Sequence, residues 1–299
     1  MVKLHDQNMN KNPVIELEHG LSVVELLYDN SRNTLWAYMK GDPIPCFTVD
    51  LLKELNGLLA KIRALNEQNR QVDYLVGASA TPGIYNLGGD LNLFRHCVET
   101  RDKETLRAYA YACLDLGFAC TNMLWQDVTT IALLEGNALG GGLEGALSCN
   151  VVVAEKKVRL GFPEILFNMF PGMGAYTYLR QRIHVSTIEK LLTSGRNYTA
   201  SEFYEMGLID ILVEDGGGHA AVDDYIDHHS KQRNGRLAIH KAKLLSEPIS
   251  LEEMRGITDL WVDSALQLDD NALRVMERLF KAQLHRTSRL LKSQESQDC

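Results

Sequence analysis

The chain has 299 residues, of which 45% are hydrophobic and 23% charged, as in ordinary globular proteins. Its formal net charge of -8 argues against general attraction to nucleic acid or to an anionic membrane. No apolar run approaches the ~18 residues of a membrane-crossing helix, and the polar start MVKLHDQNMNKNPVIELEHG lacks a secretory apolar stretch, so no membrane insertion and a cytoplasmic location are expected.

In chain order, residues 1–12 read as frayed, and VIELEHGLSVVELLYDN alternates like a hairpin start. NTLWAYMKG reads as a strand. From Val49 to Asn69 the apolar positions Leu51, Leu52, Leu55, Leu58, Leu59, Ile62 and Leu65 follow a helical stripe. VDYLVGAS is a short apolar run, predicted to be a buried strand. TPGIYNLGGDL reads as loop, Lys103 to Gln126 as a long helix, and TTIALLEG as a second buried strand. GNALGGG follows as a turn, then a short helix over Leu143 to Cys149 and a strand at NVVVAE. This alternation predicts an α/β core with a largely parallel sheet. Past residue 165 only GLIDILVED is strand-like, as an edge segment. DGGGHA reads as a turn or linker, and residues 250–286 hold two helical patterns broken near Leu268. The expected division is an α/β core over 1–215 and a helical C-terminal region over 216–299, with TSRLLKSQESQDC as a solvated tail.

The six cysteines form no CxxC pair and most sit in apolar surroundings. They are expected to be reduced and largely buried, with Cys299 exposed at the end of the chain. No metal-ligand spacing is present, and no cofactor is expected.

Residues 136–148, GNALGGGLEGALS, are neither a Walker loop nor a GxGxxG or GxSxG motif. Amides at a helix start lack internal partners and lie at the positive end of the dipole. A glycine there admits a ligand oxygen closely. The stretch is therefore either a donor site for a developing oxyanion or a tight packing turn. A second glycine turn, NLGGDL at 86–91, also follows a strand, with Asp90 as a candidate helix cap. Two carboxylates lie nearby. Glu144 is in the first turn after the glycines, where it could also be a helix-dipole partner. Glu164 lies among Phe162, Ile165, Leu166 and Phe167, and burial there would raise its pKa toward acid–base work. It could equally begin a helix behind Pro163 at the first helical position.

GNALGGGLEGALSCNVVVAEKKVRLGFPEILFNMFPGMGA resembles the central signature of the crotonase (enoyl-CoA hydratase/isomerase) superfamily. The resemblance extends upstream to NLGGDL and downstream to LLTSGRNYTASEFYEMGLID, over roughly residues 20–290. It implies a crotonase-like spiral of ββα units with a helical C-terminal part. It also implies oxyanion-hole amides at Gly89 and Gly141, and catalytic glutamates at Glu144 and Glu164. NLGGDLNLF, GNALGGGLEGALSC, GFPEILFNMFPGMGAY and ITDLWVDSALQL look most like the diffusible signal factor synthases of bacterial quorum sensing. That branch implies dehydration of a 3-hydroxyacyl thioester, on acyl carrier protein, to a cis-2-enoyl thioester and its hydrolysis to a free fatty acid. The alternative is an enoyl-CoA hydratase/isomerase acting on CoA esters. Where crotonases carry an Asn-Ala-Leu stretch associated with the CoA adenine end, this chain has DPIPCFTVDLL, which favours a carrier-protein thioester.

Leu139, Met173, Trp261 and Leu279 are candidate walls of an acyl channel, or plain core. The resemblance further implies a homotrimer or dimer of trimers, and a sensor kinase or receptor of the signal pathway as a partner. KQRNGRLAIHKAK at 231–243 could meet a carrier protein, and reads more plainly as a solvated basic face. His228-His229 are expected in solvent.

Overall fold

The computed structural model describes residues 17–41, 44–68, 72–279 and 281–282. The expected frayed start at 1–12, the tail at 287–299 and Cys299 lie outside the described residues.

Strands β1 (Val24–Asp29) and β2 (Thr34–Met39) form an antiparallel hairpin. The hairpin expected within 14–30 thus closes one strand later. Asp29 Oδ1 accepts the Ser31 amide at 2.8 Å, and Asn33 takes φ 47° to turn the chain. Helix α1 (Val49–Gln68) follows, with Leu51, Leu52, Leu58, Leu59 and Ile62 buried on the expected stripe. The chain then winds through three similar units. Each has a long strand, a short strand and a helical turn. The first is β3 (Tyr74–Ser79), β4 (Ile84–Asn86) and α2 (Leu91–Thr100). After α3 (Lys103–Asn122), the second is β5 (Thr129–Leu134), β6 (Asn137–Leu139) and α4 (Gly141–Leu147). The third is β7 (Val151–Glu155), β8 (Arg159–Gly161) and a 3-10 turn, Glu164–Phe167.

The long strands join a six-stranded sheet in the order β1-β2-β3-β5-β7-β10, with β10 (Ile211–Val213) at its edge. From β2 to β10 all neighbours are parallel. The short strands join a second sheet, β4-β6-β8-β9, with β9 (Asn197–Thr199) antiparallel to β8. Both faces of the inner strands β2, β3, β5 and β7 are covered, which is why they are mostly apolar, whereas edge strand β1 alternates buried and exposed residues. Leu35, Ala37, Leu75 and Ala132 face the main core; Trp36, Val76, Ile131 and Val153 face helix α8 (Gly218–Ser230). Helices α5 (Ala175–Arg180), α6 (Val185–Ser194) and α7 (Ala200–Glu205) precede β10, and from Gly218 onward every described element is helical: α8, α9 (Arg233–Ser246), α10 (Leu251–Ala265) and a helix from residue 270. The stretch expected as a linker at 215–220 is in part the first turn of α8.

Two surface expectations change in part. Most of the basic stretch 231–243 is exposed as expected, but Arg233 and Lys241 dock it to the body of the fold. Arg233 pairs with Asp73 at 2.7 Å and donates to the Asp127 carbonyl, while Lys241 pairs with Asp127 at 2.6 Å. His229 is half-buried over the Tyr225 ring, centroids 3.6 Å apart, and burial lowers its pKa to about 4.

Two of the short strands, β4 and β6, lie in the stretches expected as loop and turn, and they place the site. Helix α4 starts so close to the end of β4 that a methyl on Gly142 would lie 2.1 Å from the Asn86 carbonyl oxygen. Gly142→Ala is therefore expected to cost about 1–3 kcal/mol through overpacking. A thermal melt reads this as a drop of roughly 2–4 °C per kcal/mol, and an unchanged melt would contradict this packing.

Candidate active site

Three adjacent parallel strands, β4, β6 and β8, end side by side. Just past their ends come Gly89, Gly141 and Glu164. The spiral thus brings together groups 52 and 23 residues apart (141 − 89, 164 − 141).

The two glycine turns touch. A methyl on Gly141 would sit 3.5 Å from the Gly89 amide nitrogen, and one on Gly88 would sit 3.1 Å from the Gly141 nitrogen. Neither the Gly89 nor the Gly141 amide donates to a protein acceptor among the described residues. Gly141 opens helix α4, so its N–H has no intrahelical acceptor and lies at the positive end of the dipole. The other turn is held from outside. Asn86, buried, accepts the Gly88 amide on Oδ1 at 2.8 Å. The Tyr109 hydroxyl accepts the Asp90 amide at 2.8 Å and donates to the Phe47 carbonyl at 2.7 Å. Asp90 caps α2 through the Asn92 and Leu93 amides, as expected of it.

Glu144 lies in the first turn of α4 and is 3% exposed. Its Oε1 accepts the Met173 and Ala175 amides at 2.8 and 2.9 Å. Burial pushes its pKa up to about 7, against the pull of those two donors. Glu164 heads the 3-10 turn, with Pro163 as its cap rather than its first helical residue. The residue as a whole is half-buried, but its Oε2 is enclosed and has no hydrogen-bond partner among the described residues. Burial, and then the nearby Glu144, raise its pKa to about 8. Its Oε1 lies 2.4 Å from where a methyl on Gly140 would stand, so Gly140, at φ 51°, leaves room for the carboxyl. The apolar setting expected around Glu164 is half realised. Phe162 is buried and Phe167 lines the cleft, but Ile165 and Leu166 are 39% and 48% exposed, because a tight three-residue turn points them outward.

These groups share an outer cleft. Gly89, Gly141, Glu144, Glu164, Met173 and Trp261 all line it. Of the four expected wall residues, Met173 and Trp261 are therefore at the cleft. Leu139 is buried on β6, and its carbonyl backs Gly88. Leu279 is half-buried on the last helix, where Met276 is the residue that reaches the cleft. Helix α10 is clamped to the loop before α5 (Ala175–Arg180): Thr258 Oγ1 donates to the Gly172 carbonyl at 2.8 Å. That loop also supplies the Met173 amide to Glu144.

Beyond Gly89, Gly141, Glu144 and Met173 an inner apolar tunnel opens. Leu52, Leu55, Leu58 and Leu59 of α1 line it, and Leu116 of α3 faces them. In the sequence the α1 leucines stand out only as a helical stripe. Cys113 also borders it, and burial pushes that thiol up to about 12, so it is no thiolate. Asn86 and Tyr109 are the other residues missed. A buried Asn beside glycines was the available signal for the first; nothing local marks the second.

Both glutamates bind protons more tightly folded than unfolded, where 4.5 applies. Stability should therefore fall as pH rises from about 4.5 through about 8. Comparison with Glu164→Gln isolates the effect: the variant's melting temperature should gain on the wild type between about pH 5 and 8.5. A constant difference would contradict the raised value.

A family model described as enoyl-CoA hydratase/isomerase matches residues 42–217, more than half of the chain. The peroxisomal fatty acid beta-oxidation multifunctional protein AIM1 of Arabidopsis thaliana is 29% identical over 163 residues, 54% of this chain and 22% of that relative. The chain thus spans about a fifth of that relative's length. Among solved structures, an enoyl-CoA hydratase from Bacillus halodurans matches at TM-score 0.72 and 21% identity, over 86% of this chain and 100% of that one. Pseudomonas aeruginosa DspI matches at TM-score 0.61 and 21% identity, over 89% and 96%. At such identities the solved structures speak for the fold. Together with the length of the family match, they lead to one assignment: the chain belongs to the enoyl-CoA hydratase/isomerase, or crotonase, family.

Proposed function

We propose that the protein adds and removes water across C2–C3 of a fatty acyl thioester. One observation carries this reading: two unpaired turn amides meet a pair of buried carboxyls at the mouth of an apolar tunnel. The thioester carbonyl sits between the Gly89 and Gly141 amides. They stabilise the enolate formed when C2 loses its proton; one such donor is worth roughly 3–4 kcal/mol.

The carboxyls act as a pair with one shared proton near neutrality. Glu144 carries the two amide donors and ionises first; Glu164, without donors on Oε2, keeps the proton longer. In the hydration direction, Glu144 takes a proton from the water that adds to C3, and Glu164 delivers one to C2. Dehydration reverses both transfers. The pH profile of kcat/KM should be a bell with its flanks near the pair's apparent values, above the ordinary carboxylate range.

The finer proposal is that the substrate is a 3-hydroxyacyl group on acyl carrier protein, and that water then cleaves the thioester held in the same hole. Its support is the quoted motifs and the DPIPCFTVDLL segment, of which residues 42–43 lie outside the described part. The test is to offer the same 3-hydroxyacyl chain on acyl carrier protein and on CoA and to follow products by mass spectrometry. A free 2-enoic acid from the carrier protein supports this proposal. An enoyl-CoA with its thioester intact supports simple hydratase action instead.

A further inference from the structure

The floor of the inner tunnel has an unusual composition. Strand β3 lies in the middle of the large sheet, between β2 and β5, yet carries a glycine. In register, Gly77 stands opposite Ala37 on one side and Ala132 on the other. All three belong to the sheet face that packs toward α1 and α3, so a row of three small residues crosses the sheet beneath those helices. The neighbouring row, Leu35, Leu75 and Thr130, is larger. The result is a shallow trough running across the strands. Gly77 is only half-buried despite its central position, and it borders the tunnel together with Ala37, Leu75 and Thr130. A glycine in a strand interior weakens the strand and often marks a close ligand approach.

The site has room for more than a hydrogen there. A methyl on Gly77 would meet only the Tyr85 hydroxyl oxygen, at 3.5 Å, and the Ile131 carbonyl oxygen, at 3.9 Å. Both are ordinary contacts, and no positive φ requires glycine at this position. Packing therefore admits a methyl here, whereas a larger side chain would press on the Tyr85 hydroxyl and into the tunnel that both residues line. The helical walls show how far that space extends. Lining positions run from Leu52 to Leu59 on α1 and from Cys113 to Cys120 on α3, each about 10 Å along its axis. A two-carbon tail beyond the reacting carbons would leave most of this length empty.

We propose that Gly77 is a specificity-determining residue, and that the substrate is a medium- or long-chain fatty acyl thioester whose tail lies over Ala37 and Gly77 in the inner tunnel. This inference rests on the acyl-thioester reading above and adds the chain class to it. A larger side chain at Gly77 projects into the trough and shortens the tail that fits. Pocket discrimination by one or a few methylenes is worth roughly 10–200-fold.

The test measures kcat/KM of the whole chain for crotonyl, octenoyl and dodecenoyl thioesters, as wild type, Gly77→Ala and Gly77→Val. Valine suits a strand, and alanine fits without new close contact, so the alanine variant reports even if valine impairs folding. The wild type should prefer the longer two. The dodecenoyl-to-crotonyl ratio should fall about tenfold or more in Gly77→Val and by a smaller factor in Gly77→Ala. Turnover with that ratio unchanged in both variants overturns the chain-length assignment and leaves the thioester reading standing. Failure of the wild type to turn over any of the three, on CoA or on acyl carrier protein, overturns both.

Discussion

Glu164→Gln is expected to lower kcat on an acyl thioester by about a hundred- to ten-thousand-fold, with little loss of stability. The carboxyl is placed for chemistry and not for folding. Its Oε2 is enclosed and bonds to nothing among the described residues. Its ionised form is disfavoured by burial and by Glu144. Glutamine keeps the shape and removes the proton that the mechanism moves. Above about pH 8 the variant should melt no lower than the wild type, because it lacks a buried charge. Turnover near the wild-type rate, measured on a folded variant, would remove Glu164 from the mechanism.

Glu144→Ala should fail in two ways at once. Activity should fall as for Glu164, since the two carboxyls act as a unit, and a double variant should lose little beyond either single one. The chain should also be destabilised, because the Met173 and Ala175 amides would lose their acceptor in a buried setting. Each orphaned donor costs about 1–3 kcal/mol. The damage reaches further than the glutamate, since the same loop is fastened to α10 through Thr258 and packs against Trp261. Glu144→Gln retains an acceptor oxygen, so it should be as inactive as the alanine variant yet more stable. Kinetics and thermal melts on the three proteins separate the roles. An alanine variant as stable as the glutamine one would contradict the double duty assigned to Glu144.

Much of the large sheet was legible in the sequence, because runs such as TTIALL and VVVAE bury both faces of their strands and are mostly apolar. The second sheet was not. Its strands at 84–86, 137–139, 159–161 and 197–199 are three residues each, too short to carry a period. They hide inside stretches whose glycines signal a turn. Those glycines did announce the site, since an amide-rich bend beside a glutamate is unusual chemistry for a loop. The docking of 231–243 was illegible for another reason. Arg233 and Lys241 find Asp73 and Asp127 more than a hundred residues away, and local charge counts cannot see such pairs. The inner tunnel escaped notice because Leu52, Leu55 and Leu59 make the same helical stripe whether they pack on protein or border a space. Only the strand register, which sets Gly77 between two alanines, tells the two apart.

The central claim is that the Gly89 and Gly141 amides hold an acyl oxygen beside the two carboxyls. The most direct measurement is a crystal structure of the protein with a slowly reacting acyl thioester analogue. The carbonyl oxygen should lie about 2.7–3.1 Å from both amide nitrogens, with C2 and C3 between Glu144 and Glu164 and the tail in the inner tunnel. A carbonyl bound away from either amide, or a tail left outside the tunnel mouth, would contradict it.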